Sequence, residues 1–144
     1  MKTLLLEFIE NALCDVSEIH VKMKTQDLLE QEIMLIRKMA GKDCTRFVRM
    51  MDKVAVRHVF KNHGDEVRER LRGRLPIVIE DFLLVEIILV EYDLVFTEIN
   101  KLGNIILHYE KDFDNFRLVY VEEIRNKRRE IALQTMYKQK NRKP

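Results

Sequence analysis

The chain has 144 residues, the size of one ordinary domain, and 47% of them are hydrophobic, which is enough for a core. Only 4 Gly and 2 Pro occur, which argues against long low-complexity segments. The formal net charge is +2, but residues 125–144 carry eight basic side chains against the single acid Glu130, so residues 1–124 are mildly acidic. A basic terminus of this kind is typical of a protein that binds a polyanion, and also of a solvated tail that keeps a protein soluble.

The cysteines and the apolar runs limit the compartment and the cofactors. Cys14 and Cys44 lie in neither a CxxC nor a CxxH arrangement, which predicts free thiols in a reducing compartment and argues against a zinc site. We therefore expect no metal and no cofactor. The N-terminal leucine run lacks the long apolar centre of a signal peptide, and the apolar run 82–90 contains Glu86 and is too short to span a bilayer. These features predict a soluble, cytoplasmic protein with no membrane partner.

The first half of the chain carries mainly helical patterns. Its predicted elements are a helix over 3–13, a short strand or extended arm over 17–24, a helix over 26–40 and a helix over 45–62. Thr25 is placed to cap the second of these helices, and Gly41 is a natural residue for its C-terminal end. A short charged segment follows up to Arg72, residues 73–76 then break the chain, and residues 80–89 predict a short buried helix.

From Asp93 onward the hydrophobic period changes to that of a strand. Four strands are predicted, over 94–99, 105–110, 116–124 and 130–137, and the turns that join them are polar. This order of elements predicts an α+β fold in which N-terminal helices pack on one face of a four-stranded antiparallel sheet and the other face is left for a ligand. The expected organisation is a single domain, 1–144, with a helical lead-in over 1–44, a core over 45–138 and a basic tail over 139–144.

Two histidines and a lysine lie near the end of the last long helix predicted. His58 and Lys61 are three residues apart and share a helix face, and His63 lies about a turn further on. An imidazole is the usual general acid or base at neutral pH, and a lysine beside it can neutralise a phosphate. Cleavage of an RNA strand requires such groups and cations around the phosphorus. The structural alternative is a histidine at the edge of the core and another at a helix end.

A second group of candidate residues lies on the last two strands. If the last strand is regular, Ile131, Leu133, Thr135 and Tyr137 point to one face, and Arg125 stands nearby at the end of the preceding strand. Thr135 as a good β-former and Tyr137 as a strand-end aromatic are the structural alternatives.

Other chemistries fit poorly. The one serine, Ser17, lies in no GxSxG motif, and the glycines are isolated, so neither a serine hydrolase nor a phosphate-binding glycine loop is indicated. His108 alternates with leucine and tyrosine in a strand, which favours a structural role.

The order of several short segments carries a family resemblance. These segments are VRHVFKNHGD (56–65), LPI (75–77) with EDF (80–82), YD (92–93), the glycine-containing hairpin with Ile106 and Tyr109, YVEEIR (120–125) and LQTMYK (133–138). In this order they resemble the phage-associated barnase/EndoU/colicin/RelE-like nuclease domains over about residues 45–140, and more faintly over the helix that ends at Gly41.

The resemblance implies a small α+β domain and a metal-independent ribonuclease activity, in the setting of a phage or integrative-element toxin. By position, His58, Lys61 and His63 match the helical motif of the family. Arg125, Thr135, Tyr137 and Lys138 match its late-strand motif. The implied partners are RNA and an immunity or antitoxin protein.

The first functional hypothesis is thus a ribonuclease with His58 or His63 as acid or base. In this hypothesis Thr135 or Tyr137 donates a hydrogen bond, and the phosphate is held by Lys61, Arg125 and Lys138. Further backbone contacts are assigned to Lys127, Arg128, Arg129, Lys138 and Lys140. The alternative is a non-catalytic nucleic-acid-binding accessory protein of a mobile element, and a third possibility is a structural or protein-interaction role. A shared site requires that the His58–His63 helix end faces the late-strand residues across one cleft.

Overall fold

Five α-helices and seven strands account for most of residues 2–14 and 21–141, which are the residues that the computed structural model describes. The helices are α1 (Lys2–Cys14), α2 (Glu30–Ala40), α3 (Lys53–His63), α4 (Glu66–Leu71) and α5 (Val85–Glu91), with a 3₁₀ helix, Ile79–Leu84, before α5. The strands are β1 (Lys22–Lys24), β2 (Val48–Asp52), β3 (Arg74–Leu75), β4 (Leu94–Ile99), β5 (Ile105–Asp112), β6 (Phe116–Arg125) and β7 (Glu130–Lys140). No helix in these residues is long and apolar enough to cross a membrane.

The strands form one mixed sheet in the order β1-β2-β7-β6-β5-β4, and β3 also pairs with β7. The α+β class and the meander β4–β7 agree with the sequence prediction, but the sheet has seven strands among the described residues where four were predicted. The additional strands are short, and β2 runs parallel to β7, so the predicted all-antiparallel sheet is wrong at that edge. Parallel pairing between segments so far apart in the chain leaves no local signal in the sequence.

The prediction of one helix over residues 45–62 is wrong. Residues 48–52 form β2, which pairs antiparallel with β1 and parallel with β7, and only then does α3 begin. The Asp52 carboxylate accepts a hydrogen bond from the Ala55 amide at 2.7 Å and so fixes the first turn of α3. Apolar residues such as Met51 and Val54 fit a helical period, but pairing with two neighbouring strands overrides it here.

The start of the preceding helix also differs from the prediction. The structure begins α2 at Glu30, after extended backbone at Leu29, and the Glu32 carboxylate accepts a hydrogen bond from the Leu29 amide at 2.7 Å. Thr25 is therefore not the cap. Gly41 ends the helix in the left-handed conformation, at φ 67°, as predicted. Residues 17–20 of the predicted strand 17–24 lie outside the described residues, and of the described residues 21–24, Lys22–Lys24 form a strand.

The helices cover one face of the sheet, here called the inner face. Leu118, Tyr120 and Ile124 of β6 are buried there among apolar residues of α1, α2, α3 and α5. The opposite face, called the outer face, carries a smaller apolar cluster formed by Ile106, Val119 and Val121, against which Tyr137 packs. The outer face of β6 and β7 is therefore open to a ligand only around and above this cluster.

An irregularity in β7 decides which of its residues lie on the outer face. Val121 pairs with Thr135, but Glu122 pairs with Leu133, so one extra residue, Gln134, stands in β7 at this point. This β-bulge reverses the alternation of side chains. Leu133 lies in the inner core, while Thr135 is on the outer face, so the predicted common face for Ile131, Leu133, Thr135 and Tyr137 is wrong.

Helix α3 runs along β7 between two short neighbouring strands. It starts where β2 ends, and near its end the His63 carbonyl accepts a hydrogen bond from the Ile77 amide at 2.7 Å, close to β3. Val56 and Val59 turn to the inner core. His58 and Asn62, four residues apart, turn to the outer side beside β7.

Candidate functional site

A cleft of about 950 Å³ lies between α3 and the outer face of β6 and β7. We call it the α3 cleft. His58 lines it from α3, Arg125 from the end of β6 and Thr135 from β7, just after the bulge. Lys127 and Arg128, from the loop between β6 and β7, line its rim. The fold thus brings together five of the sequence-predicted site residues, which come from two separate segments of the chain, α3 and the β6–β7 hairpin.

Arg125 is held in the cleft by carboxylates on three sides. Its Nε donates to Glu123 at 3.2 Å, and its Nη1 approaches Asp52 and Glu130, each at 3.4 Å. Burial lowers the pKa of Arg125, but the hydrogen bond that Arg125 donates to Glu123 and the charge of Asp52 raise it by more, so the guanidinium stays charged. The neighbouring carboxylates balance the charge of Arg125 and hold its guanidinium in place as a hydrogen-bond donor. The exposed positive charge of the cleft comes instead from Lys127 and Arg128.

Glu123 connects Arg125 to the hairpin between β4 and β5. One of its carboxylate oxygens accepts hydrogen bonds from the side-chain amides of Asn100, at 2.8 Å, and Asn104, at 3.2 Å, while the other accepts from Arg125. Asn100 in turn accepts from the Leu102 and Asn104 amides, which shapes the hairpin. Leu102 and Asn104 of this hairpin also line the cleft, so this wall of the cleft is attached to the same network as Arg125.

Asp52 joins the network to α3. One carboxylate oxygen caps α3 and the other faces Arg125, so a single side chain fixes both the helix that carries His58 and the arginine opposite. Sequence reasoning missed Asp52 because it lay inside a predicted helix. An aspartate just before an apolar helical pattern is nevertheless a common N-cap, because its carboxylate accepts a hydrogen bond from a backbone amide of the first helical turn. This signal in the sequence could have indicated Asp52.

Two further predicted site residues, His63 and Tyr137, contact each other beside the α3 cleft and are not part of its lining. Their ring centroids are 5.3 Å apart, and the Arg74 guanidinium lies over the Tyr137 ring at 4.3 Å from its centroid. Tyr137 and Thr135 are two residues apart on the same strand face, about 7 Å along β7. This group therefore adjoins the cleft, in line with α3.

His63 is oriented by a buried carboxylate. Its Nδ1 lies 3.3 Å from an oxygen of Glu69, a side chain with no exposed surface, and the imidazole itself is 12% exposed. Burial lowers the pKa of His63 by more than Glu69 raises it, and the cations Arg74 and Arg72 lower it further. A neutral imidazole that donates Nδ1–H to Glu69 carries its lone pair on Nε2. Glu69 and Arg74 were not singled out from the sequence.

The burial of Tyr137 also affects its ionisation. Burial raises the pKa of the Tyr137 phenol, and Arg74 opposes this only in part. The phenol therefore keeps its proton at neutral pH and can donate a hydrogen bond.

Several predicted phosphate ligands lie elsewhere. Lys138 is 8% exposed and pairs with Asp81 at 2.8 Å on the inner side of the sheet, which corrects its assignment as a phosphate contact. Lys61 is exposed on α3 outside the cleft lining, and Arg129 is exposed in the turn beside Arg128. Lys140 is at the opposite end of β7 from the basic loop, about 33 Å along the strand. The basic residues near the C-terminus are thus split between two ends of one strand.

No group of three or more histidine, cysteine or acidic side chains among the described residues is placed to hold a metal ion.

The family model described as phage-Barnase-EndoU-ColicinE5/D-RelE like nuclease3 matches residues 23–144. The match begins within β1 and so includes half of the segment, residues 1–44, that was expected to be a lead-in. Comparison with curated proteins and with solved structures yielded no match.

Proposed function

The chain belongs to the phage-Barnase-EndoU-ColicinE5/D-RelE like nuclease family, and from that premise we propose that it is a ribonuclease whose reaction takes place at the α3 cleft. One observation carries the proposal: His58 of α3 lines the same cleft as Arg125 and Thr135 of the β6–β7 hairpin, more than 60 residues further along the chain, and Lys127 and Arg128 lie at the rim of that cleft. An imidazole, a fixed guanidinium and a hydroxyl beside exposed cations are the groups that phosphodiester cleavage uses.

The two histidines differ in a way that suits two roles. His63 is neutral at physiological pH and oriented by Glu69, so for a nucleotide that extends from the α3 cleft to the adjoining His63–Tyr137 group its Nε2 is the general base that removes the proton from the ribose 2′-hydroxyl. His58, exposed on the cleft wall, is the general acid. The 2′-oxygen attacks phosphorus, the bond from phosphorus to the 5′-oxygen breaks, and that oxygen takes a proton from His58. The products are a 2′,3′-cyclic phosphate and a free 5′-hydroxyl, and no metal takes part.

The remaining residues stabilise charge. Arg125 donates to a phosphoryl oxygen from its fixed position, and Thr135 donates from its hydroxyl on the neighbouring strand. Lys127 and Arg128 hold flanking phosphates at the rim of the cleft.

The test is cleavage of a single-stranded RNA in the presence of EDTA. The purified protein is expected to cut it and leave cyclic phosphate ends, and His58→Ala is expected to lower the rate by about two to four orders of magnitude. Lys61→Ala, on the same helix but outside the cleft lining, is the matched control and should keep the rate within a few-fold. Undiminished cleavage by His58→Ala would remove His58 from the mechanism.

A second function, non-catalytic binding of nucleic acid, is favoured by the exposed cations Lys127 and Arg128 at the rim of the α3 cleft. An accessory protein of a mobile element would bind RNA in a strongly salt-dependent manner and never cut it.

The phage association of the family fits a toxin that acts on RNA in the cytoplasm and is silenced by an immunity or antitoxin protein placed over the cleft. Toxicity on expression that disappears in the His58→Ala variant would support the toxin role. Equal toxicity of both proteins would contradict it.

A further inference from the structure

The outer face of the sheet continues away from the α3 cleft as a row of ring and small side chains. Thr135 is in register with Val121, Val121 with His108, and His108 with Phe96. Neighbouring strands are about 4.8 Å apart, so His108 lies about 10 Å and Phe96 about 14 Å from Thr135 across the sheet. A chain that leaves the cleft over β6 meets this row directly.

The row forms a low apolar floor with aromatic walls. Val121 is buried and short, and together with Val119 and Ile106 it forms the floor. The rings of Phe96 and His108 stand parallel to each other, with centroids 4.5 Å apart and an interplanar angle of 5°. Tyr137 borders the floor on the β7 side. The two parallel rings, backed by the apolar floor, offer a flat surface on which a planar group can stack.

The charges on this part of the face disfavour a phosphate. A Glu98 oxygen lies 3.5 Å from Nε2 of His108, and Glu98 is exposed. Arg117, on the same face, is already ion-paired with Glu110 at 2.9 Å and with Asp112 at 2.8 Å. This part of the face therefore presents the Glu98 carboxylate as a hydrogen-bond acceptor, and among the described residues it lacks the exposed cations that line the rim of the α3 cleft. A neutral group that stacks and donates N–H bonds fits here better than an anion.

We propose that the Phe96–His108 ring pair, with Glu98, is a binding subsite for a nucleobase that carries an amino group. This inference rests on the proposed function, since it places the base next to the phosphate that the cleft holds. The base stacks on the accessible surface of this ring pair, and its amino group donates a hydrogen bond to the Glu98 carboxylate. Uracil has no amino group and binds more weakly.

The experiment uses short 2′-O-methyl oligonucleotides, which lack the nucleophilic hydroxyl and so report binding whether or not the protein cuts RNA. Fluorescence of 2-aminopurine in the oligonucleotide falls when the base stacks on a ring. With the wild-type protein, quenching and tighter binding than for an all-uracil oligonucleotide are expected. Phe96→Leu keeps an apolar side chain in the sheet, and it should abolish the quenching and weaken binding about 5- to 100-fold. Phe113→Leu, just beyond the far end of β5 and packed against the main core, is the matched control and should change neither.

Glu98→Gln separates hydrogen bonding from stacking. It should reduce the preference for amino-bearing bases over uracil and leave the affinity for the uracil oligonucleotide unchanged. If Phe96→Leu binds and quenches as the wild type does, or if no oligonucleotide binds, the subsite is wrong. If Phe96-dependent binding is found but RNA is not cut, the subsite stands and the ribonuclease proposal fails.

Discussion

Two arginine–carboxylate clusters lie on opposite faces of the same sheet, and they differ mainly in their access to water. On the inner face, Arg49 is 1% exposed and donates to both oxygens of Glu122, at 2.8 and 3.2 Å, while Glu32 approaches at 3.1 Å. On the outer face, Arg125 is 25% exposed and is held by Glu123 and two further carboxylates. Glu122 and Glu123 are adjacent, yet one belongs to the core and the other to the α3 cleft.

The difference shows where this fold is rigid and where it can act. In the inner cluster, burial raises the pKa of Glu122 by more than Arg49 lowers it, so the charges there are stable only as a complete set. The outer cluster is partly hydrated, so the loss of one carboxylate can be compensated by water. The same chemical groups therefore stabilise the sheet on one face and orient a donor on the other.

The largest effect is expected from breaking the inner cluster. Glu122→Ala leaves Arg49 with only Glu32 in the core, and the free energy of unfolding, measured with urea, should fall by about 3–5 kcal/mol. Glu123→Ala is the matched control, one residue along, and should cost less than about 1 kcal/mol. The double variant Arg49→Met/Glu122→Leu should recover most of the loss. Equal destabilisation by the two glutamate variants would contradict the contrast between the faces.

The next effect concerns the outer cluster and activity. Arg125→Gln should lower kcat/KM for RNA cleavage by about 10²-fold, because a fixed charged donor to the phosphoryl oxygen is lost. Its unfolding free energy should change little, because the partly exposed ion pairs of Arg125 contribute little to stability. Arg117→Gln, ion-paired on the same strand face outside the cleft, is the control. A parallel loss of stability and activity in Arg125→Gln would assign this residue a structural role instead.

The two glutamates also show what the sequence could and could not predict. The strands β4–β7 were predicted because each alternates apolar and polar residues, and the pairs between them are local in the chain. The strand β2 was missed because its pairing with β7 spans most of the chain. The burial of Arg49 was not predicted for the same reason, because it depends on the pairing of β2 with β7.

The site was predictable to a similar degree. His58, Arg125 and Thr135 were proposed from residue type and family resemblance, and the fold places them along one cleft. Asp52 and Glu69 were missed because their importance depends on what they face, which no local pattern gives. The bulge at Gln134 was also unpredictable, since a strand with one extra residue has no distinct composition.

A pH effect of intermediate size is expected at the end of α3. The pKa of His63 is lower in the folded protein than the ordinary value of about 6.5, so the unfolded chain binds more protons as pH falls through that value. The stability contribution is present above about pH 6.5 and is lost as pH falls toward the folded pKa, with a slope of at most about 1.4 kcal/mol per pH unit. His63→Gln should flatten this part of the curve of unfolding free energy against pH, and His58→Gln, on an exposed site, serves as the control. An unchanged slope in His63→Gln would mean that the proton is taken up elsewhere.

The smallest effect is expected at the rim of the α3 cleft, and it tests whether the open face binds RNA at one end only. Lys127→Ala should weaken binding of a 2′-O-methyl RNA modestly and reduce the slope of log affinity against log salt by about 0.7, which is one single-strand phosphate contact. Lys140→Ala removes the same charge from the same region of the sequence, but at the far end of β7, and should leave the slope unchanged. If the two variants reduce the salt slope equally, RNA follows the whole length of β7. The proposal that RNA binds at the Arg125 end of the open face alone would then be wrong.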